Sequence, residues 1–211
     1  AFFIQWGQQL YSTFIEQQRY LMLLDGLKNT IIITLGALLI GIVLGTAVAV
    51  IKFLAEEKPA LKPLAWLCNV YVTVVRGVPV VVLLLIFYFV ILRSADGIGI
   101  NSGAYMAEII RGGINAVDGG QTEAARSLGF NRMASMRFVV LPQAVKNILP
   151  AIGNEMIALL KETAVAGYVA VQDLTRAANL IRNNTYDALN PLLATAIVYL
   201  TMVVLLTALL G

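Results

Sequence analysis

An all-α fold that crosses a lipid bilayer about five times follows from three features of the chain. Of its 211 residues, 59% are hydrophobic and only 13% are charged, about half the charged share of an average soluble domain. Two stretches, Thr30 to Ile51 and Ala188 to Gly211, run for 22 and 24 residues without a charge. About 20 apolar residues carry a helix through a hydrocarbon core roughly 30 Å thick. Five such spans use roughly half the chain and leave short loops. Residues 1–211 therefore read as one membrane domain with no large soluble part.

The composition also narrows the chemistry. The chain has no histidine, which excludes imidazole catalysis and histidine metal sites. Cys68 is the one cysteine, lies in an apolar run and has no partner for an intramolecular disulfide. No catalytic constellation and no metal site is expected. The net charge of +3 is spread along the chain, without the block of like charges that marks a nucleic-acid tail. The start, Ala1 to Tyr20, is rich in Gln and aromatic residues and lacks the pattern of a cleavable signal peptide.

The first span, Thr30 to Ile51, carries Gly41 and Gly45 as a G-x-x-x-G pair, a spacing that admits close helix contact. A charged loop, Lys52 to Lys62, leads to the second, Pro63 to Leu92. Its middle is interrupted by Arg76-Gly77-Val78-Pro79. Pro79 lacks a backbone donor and predicts a kink, and Arg76 must face protein or water. After a loop at Arg93 to Gly99, the third segment, Asn101 to Val117, contains Asn101, Glu108 and Arg111. It is too polar to stand alone in lipid and reads as an enclosed helix lining a polar path. Glu108 and Arg111, three apart, share a helix face.

Asp118 to Arg137 is not membrane and reads as two short helices, Gln121 to Leu128 and Arg132 to Val140, joined at Gly129. The fourth span, about Phe138 to Thr163, is broken by Pro142 and Pro150, and Ala164 to Asp187 is mixed. The fifth is Ala188 to Gly211. Basic residues set the orientation. Lys52, Lys58, Lys62, Arg111, Arg126, Arg132, Arg137 and Lys146 fall on one side, and Arg19, Lys28, Arg93, Arg176 and Arg182 on the other. The richer side is assigned to the cytoplasm, with the N-terminus outside and the C-terminus inside.

The stretch Glu123-Ala124-Ala125, three residues, Gly129, nine residues, then Val139-Val140-Leu141-Pro142 carries the functional signal. It resembles the EAA loop of permease subunits of ABC importers. A small-residue helix admits a close protein surface, Gly129 ends it by taking positive φ, and Pro142 sets where the next helix begins or bends. The resemblance extends from about Asp25 to Gly211 and is strongest to permeases for polar amino acids. It rests further on Val75-Arg76-Gly77-Val78-Pro79, on Asn101 through Glu108, and on Asn154-Glu155 through Lys161-Glu162-Thr163. In that family an apolar stretch leads into the Asn-Ser-Gly-Ala-Tyr segment. Here only Arg93 to Ile100 precede it, so either the loop and helix are abbreviated or parent-chain residues are absent, the second being favoured.

The resemblance implies an ABC importer permease fold in the cytoplasmic membrane, with a cytoplasmic coupling helix in a loop of about residues 118–142. It implies two copies of an ABC ATPase subunit, a second permease in a homo- or heterodimer, and an extracytoplasmic amino-acid-binding protein. ATP and Mg belong to the ATPase, because this chain has no G-x-x-x-x-G-K-[ST] phosphate loop. The coupling residues implied are Glu123, Ala124, Ala125, Gly129, Leu141 and Pro142.

Polar spacing suggests where cargo touches. Asn147, Asn154 and Lys161 are seven apart, as are Glu155 and Glu162, so they form two helical stripes about 100° apart. Glu155 or Glu162 can receive an ammonium, Lys161 a carboxylate, and Asn154 can orient either. With Asn101 and Glu108 these residues are the expected translocation path. The competing reading has Lys161 and Glu162 anchoring the helix at the outer interface. Other cargo on the same architecture, or an ion-driven transporter, are the alternative functions. The second explains the intramembrane charges but not the EAA-type loop.

Overall fold

The computed structural model describes residues 2–92, 97–169 and 171–210, and every regular element among them is helical. Lipid offers no partner to a bare backbone N–H or C=O, so helices that satisfy their own backbone are the expected solution. The longest, α2 (Tyr20–Ala55), has 36 residues and a length of about 54 Å, well beyond the hydrocarbon core. It starts at Tyr20 rather than Thr30, because Asp25 and Lys28 are carried in its first turns. The break before it is made by Gln17 and Gln18, both with positive φ, after α1 (Phe2–Leu10) and a π-helical stretch, Tyr11–Ile15.

The second span is two helices, α3 (Lys62–Gly77) and α4 (Val80–Ile86). The expected kink is a turn, since the arms Pro59–Gly77 and Val80–Val90 are bent by 115°. Val78 is extended, with φ −100° and ψ 136°, the conformation that a following proline imposes. The third helix, α5, spans Gly97–Asn115 and begins earlier than Asn101. The short connection read from Arg93 to Ile100 falls partly on residues 93–96, outside the described ones.

The loop region folds as α6 (Gly119–Ser127) and α7 (Arg132–Ser135), a π-helical stretch Met136–Val140, and α8 (Leu141–Glu162). The expected break at Pro142 does not occur. Across the π stretch the N–H of Leu141 reaches back to the carbonyl of Met136, a five-residue step that makes room for a residue without a donor. Pro150 also lies inside α8 without ending it. The mixed region resolves into a 3₁₀ stretch, Thr163–Val169, and α9 (Leu174–Thr185), before α10 (Leu189–Leu210). Among the described residues, α2 and α10 are long and apolar enough to cross a membrane, and the bent pair makes a third. The third and fourth expected segments correspond to α5 and α8, which are more polar and fall outside that set.

Contacts divide the chain into two compact units. The first comprises the described residues of 1–36, 84–98 and 157–211. Its helix α9 buries Leu174, Ala177, Ala178 and Ile181, an i, i+3, i+4, i+7 stripe. Asp173 caps it, accepting the N–H groups of Thr175 at 3.1 Å and Arg176 at 2.9 Å. Burial pushes the Asp173 carboxyl above the usual carboxylate range, while those two N–H groups pull the other way. The Thr30 hydroxyl oxygen of α2 accepts the N–H of Leu174 at 3.1 Å, and Gly26 lets the α2 backbone come against Asp173 and Leu174. Asp187 caps α10, accepting from the N–H groups of Leu189 and Asn190, the Asn190 amide and the Thr13 hydroxyl. Burial raises its carboxyl, and the four hydrogen bonds more than offset this, so the net shift is downward.

The second unit comprises residues 37–83 and 99–156. Gly41 and Gly45 both sit where a side chain would strike α5, at Ser102 and at Met106 respectively. The small-residue spacing on α2 is thus a real contact. Gly103 and Gly113 on α5 repeat the device, the first against Tyr71 and Leu44 and the second against Ile148 of α8. The Tyr71 hydroxyl donates to the carbonyl of Ile100 at 2.5 Å. Cys68 is buried on α3.

Candidate functional site

The candidate coupling loop is built from two capped helices. Asp118 Oδ1 accepts the N–H of Gly120 at 2.8 Å to start α6, and Asn131 Oδ1 accepts that of Ala134 at 2.8 Å to start α7. Between them Gly129 has φ +91°, a conformation that non-glycine residues reach only with strain. Its N–H donates to Arg126 O at 3.0 Å and that of Phe130 to Ala125 O at 3.1 Å, the paired closing bonds of a helix that ends on a left-handed glycine.

This geometry sorts the motif residues. Ala125 is buried beneath α6, whereas Glu123 and Ala124 are exposed, and Leu128 at the tip is 80% exposed. Phe130 and Met133 add further exposed apolar surface. Leu141 and Pro142 open α8 and are exposed. The loop is fastened from below. Arg132 pairs with Glu56, lies 3.9 Å from Glu57, and stacks its guanidinium 4.8 Å from the centre of the Phe53 ring. Gln143 of α8 donates to Gln121 of α6 at 3.3 Å. These fasteners were not foreseen. Glu56 and Glu57 follow α2 closely in sequence, but 76 positions separate Glu56 from Arg132.

The candidate path residues fall in both units. In the second unit Asn101 is buried, and its neighbour Ser102 donates to Glu155 Oε1 at 3.3 Å, so α5 and α8 bring these three positions together. Asn147 and Asn154 are exposed and Glu155 is half-buried, which matches the two stripes expected on α8. Lys161 and Glu162 belong to the first unit, in the last turn of α8, one exposed and the other half-buried.

Glu108, the remaining candidate path residue, sits in a cluster of cations. Arg111 forms a two-pronged contact with it, at 2.6 Å for the closest pair, as the i, i+3 spacing predicts. Arg76 of α3 approaches the same carboxylate at 3.5 Å and Lys52 of α2 at 4.0 Å. Three cations from three helices therefore surround one carboxylate. Arg76, expected to face protein or water, meets this carboxylate, and Lys52, which the sequence places in a loop, reaches it because α2 runs on to Ala55.

The model of the binding-protein-dependent transport system inner membrane component family matches residues 41–211. The chain is 37% identical to the arginine transport system permease protein ArtQ of Bacillus subtilis (strain 168), over 88% of this chain and 87% of that protein. It is 35% identical to a putative glutamine transport system permease protein GlnP of Rickettsia felis, covering 90% and 89% of the two chains. Its fold superimposes on the crystal structure of an amino acid ABC transporter with histidines at a TM-score of 0.85. The identity there is 39%, over 93% of this chain and 95% of the other.

Proposed function

Because the chain belongs to the binding-protein-dependent transport system inner membrane component family, we infer that it is the permease subunit of an ABC importer that carries polar amino acids across the inner membrane. The relatives are permeases named for arginine and glutamine, and the solved neighbour is an amino acid transporter. Energy comes from ATP hydrolysis on a separate ATPase, two copies of which serve a pair of permeases. A binding protein outside delivers the amino acid. ATP and Mg are held by the ATPase.

The observation that carries the reading is the stiff, doubly capped loop that presents Glu123, Ala124 and Leu128 on one exposed surface. A short helix closed by Gly129 and tied to α2 and α8 moves as a body. A push on it is delivered to the transmembrane helices instead of being absorbed by the loop. In this reading ATP binding draws the two ATPases together, the coupling helices follow, and the path beside Asn101, Asn154 and Glu155 changes the side to which it opens. Glu155 receives the cargo ammonium, with Lys161 and Glu162 further along α8. The N-terminus lies outside and the C-terminus inside, a placement supported by the basic residues around the coupling loop.

Purification from the native membrane tests the proposal. A tagged chain should bring down an ATPase whose activity rises with a binding protein and one polar amino acid. A chain that purifies without any nucleotide-binding partner overturns it.

A further inference from the structure

The group around Glu108 is charged beyond its own needs. Lys52, Arg76 and Arg111 supply three positive charges to one carboxylate, and Arg111 already occupies both carboxylate oxygens. Lys52 at 4.0 Å and Arg76 at 3.5 Å stand at the edge of contact. They border an open cavity of about 450 Å³, whose wall also includes Asn69, Thr73, Tyr105 and Glu108 itself. The Arg76 guanidinium lies 5.5 Å from the centre of the Tyr105 ring, which steadies its plane. The wall thus offers an ammonium, a guanidinium fork, an amide and hydroxyls, a donor set that matches a phosphate oxyanion. It suits an amino acid poorly, because the one anionic group that an ammonium would meet is Glu108, which Arg111 holds.

The same helix supplies a second feature. Asn69, Thr73 and Arg76 face the cavity from α3, and the adjacent face of α3 carries Trp66, Val70 and Val74, all exposed. A cationic cavity flanked by an exposed apolar stripe matches a ligand with an anionic head and a hydrocarbon tail. We propose that the Lys52–Arg76 cavity binds the phosphate headgroup of an anionic phospholipid, whose chain lies along Trp66, Val70 and Val74. Basic pockets between transmembrane helices are suited to such headgroups. The inference uses membrane residence and is independent of the cargo.

Native mass spectrometry of the detergent-purified transporter complex, given phosphatidylglycerol or phosphatidylcholine in equal amounts, tests it. Phosphatidylglycerol should be retained about thirtyfold more strongly, the factor that two basic side chains near a membrane surface supply together. The double substitution Lys52→Gln with Arg76→Gln should abolish the preference. Thr73→Leu, which fills the cavity and leaves the ion pairs alone, should weaken it and serves if the double variant fails to assemble. Lys58→Gln, a change in the exposed loop outside the cavity, should leave it intact. Equal retention of the two lipids, or a preference lost equally in Lys58→Gln, overturns the proposal. Inorganic phosphate that displaces phosphatidylglycerol at equal concentration makes the cavity a free-anion site and overturns the lipid assignment.

Discussion

The guanidinium of Arg132 lies 4.8 Å from the centre of the Phe53 ring, so that the first residue of α7 rests on the last turn of α2. With its ion pairs to Glu56 and Glu57, this stack joins the candidate coupling loop to the longest helix of the chain. An exposed cation–π contact and surface ion pairs together contribute about 1–2 kcal/mol. Arg132→Ala should therefore leave the complex assembled but lower transport several-fold for each ATP hydrolysed. Arg132→Lys keeps the charge without the planar stack and should fall between. Uptake and ATP hydrolysis measured together in proteoliposomes check this; an unchanged ratio in Arg132→Ala would show that the fastener is idle.

The exposed side of α6 makes a separate prediction. Glu123→Lys reverses charge at the proposed ATPase contact and should release the ATPase or uncouple it. Gly129→Ala forces an L-residue to φ near +91°, at a strain of about 1–2 kcal/mol, and should weaken association more mildly. Co-purification yields rank the two variants, and normal ATP-driven uptake by Glu123→Lys would sink the coupling assignment.

Glu155 lies beside Ser102 at the meeting of α5 and α8. Glu155→Gln keeps the shape and removes the charge, so uptake of the amino acid cargo should show a raised KM of about tenfold, the loss of one charge-assisted contact. ATPase association should be unaffected. Loss of assembly in place of the kinetic change would make Glu155 a structural residue.

Gly45→Leu drives a side chain into Met106 and Ala107. Overpacking of this kind destabilises by about 1–3 kcal/mol. Gly36, on the same helix, has nothing within 4 Å of the site of a new Cβ, so Gly36→Leu should be neutral. Thermal unfolding midpoints in detergent separate the two, and equal effects would mean that helix propensity, not close approach, matters at Gly45.

Asp187 supplies a pH dependence. Its folded-state pKa is lowered because hydrogen bonds outweigh burial. A lowered carboxylate stabilises the fold above its unfolded value of about 3.9, and that contribution disappears as pH falls through the folded value. Acidification below about pH 4 should therefore destabilise the native chain more than Asp187→Asn. At neutral pH the Asp187→Ala variant should be less stable by about 1 kcal/mol, the loss of a helix cap. Parallel pH profiles for native chain and Asp187→Asn would contradict the assignment.

Much of the fold was legible along the chain. Uncharged runs of helical length marked α2 and α10, because lipid tolerates little else. The left-handed Gly129 and the two-helix loop were readable because glycine and capping residues act within a few positions of themselves. The stripe Leu174, Ala177, Ala178 and Ile181 had helical period too, but Arg176 and Arg182 beside it disguised α9 as mixed sequence. Proline was over-read at Pro142 and Pro150 and under-read at Pro79, since its effect depends on whether the surrounding backbone can re-form its bonds.

Local chemistry thus settled most of the helical segments, the two uncharged runs long enough to cross a membrane, and which loop carries the family motif, since period, charge and turn residues act over a few residues. Tertiary structure alone decided which distant side chains meet. Lys52 and Arg76 converge on Glu108, which already holds Arg111 three residues on, and Arg132 reaches Phe53 and Glu56. Such meetings depend on helix lengths, crossings and the glycine-permitted approach of backbones, which act between residues far apart in the chain and leave no periodic trace in it.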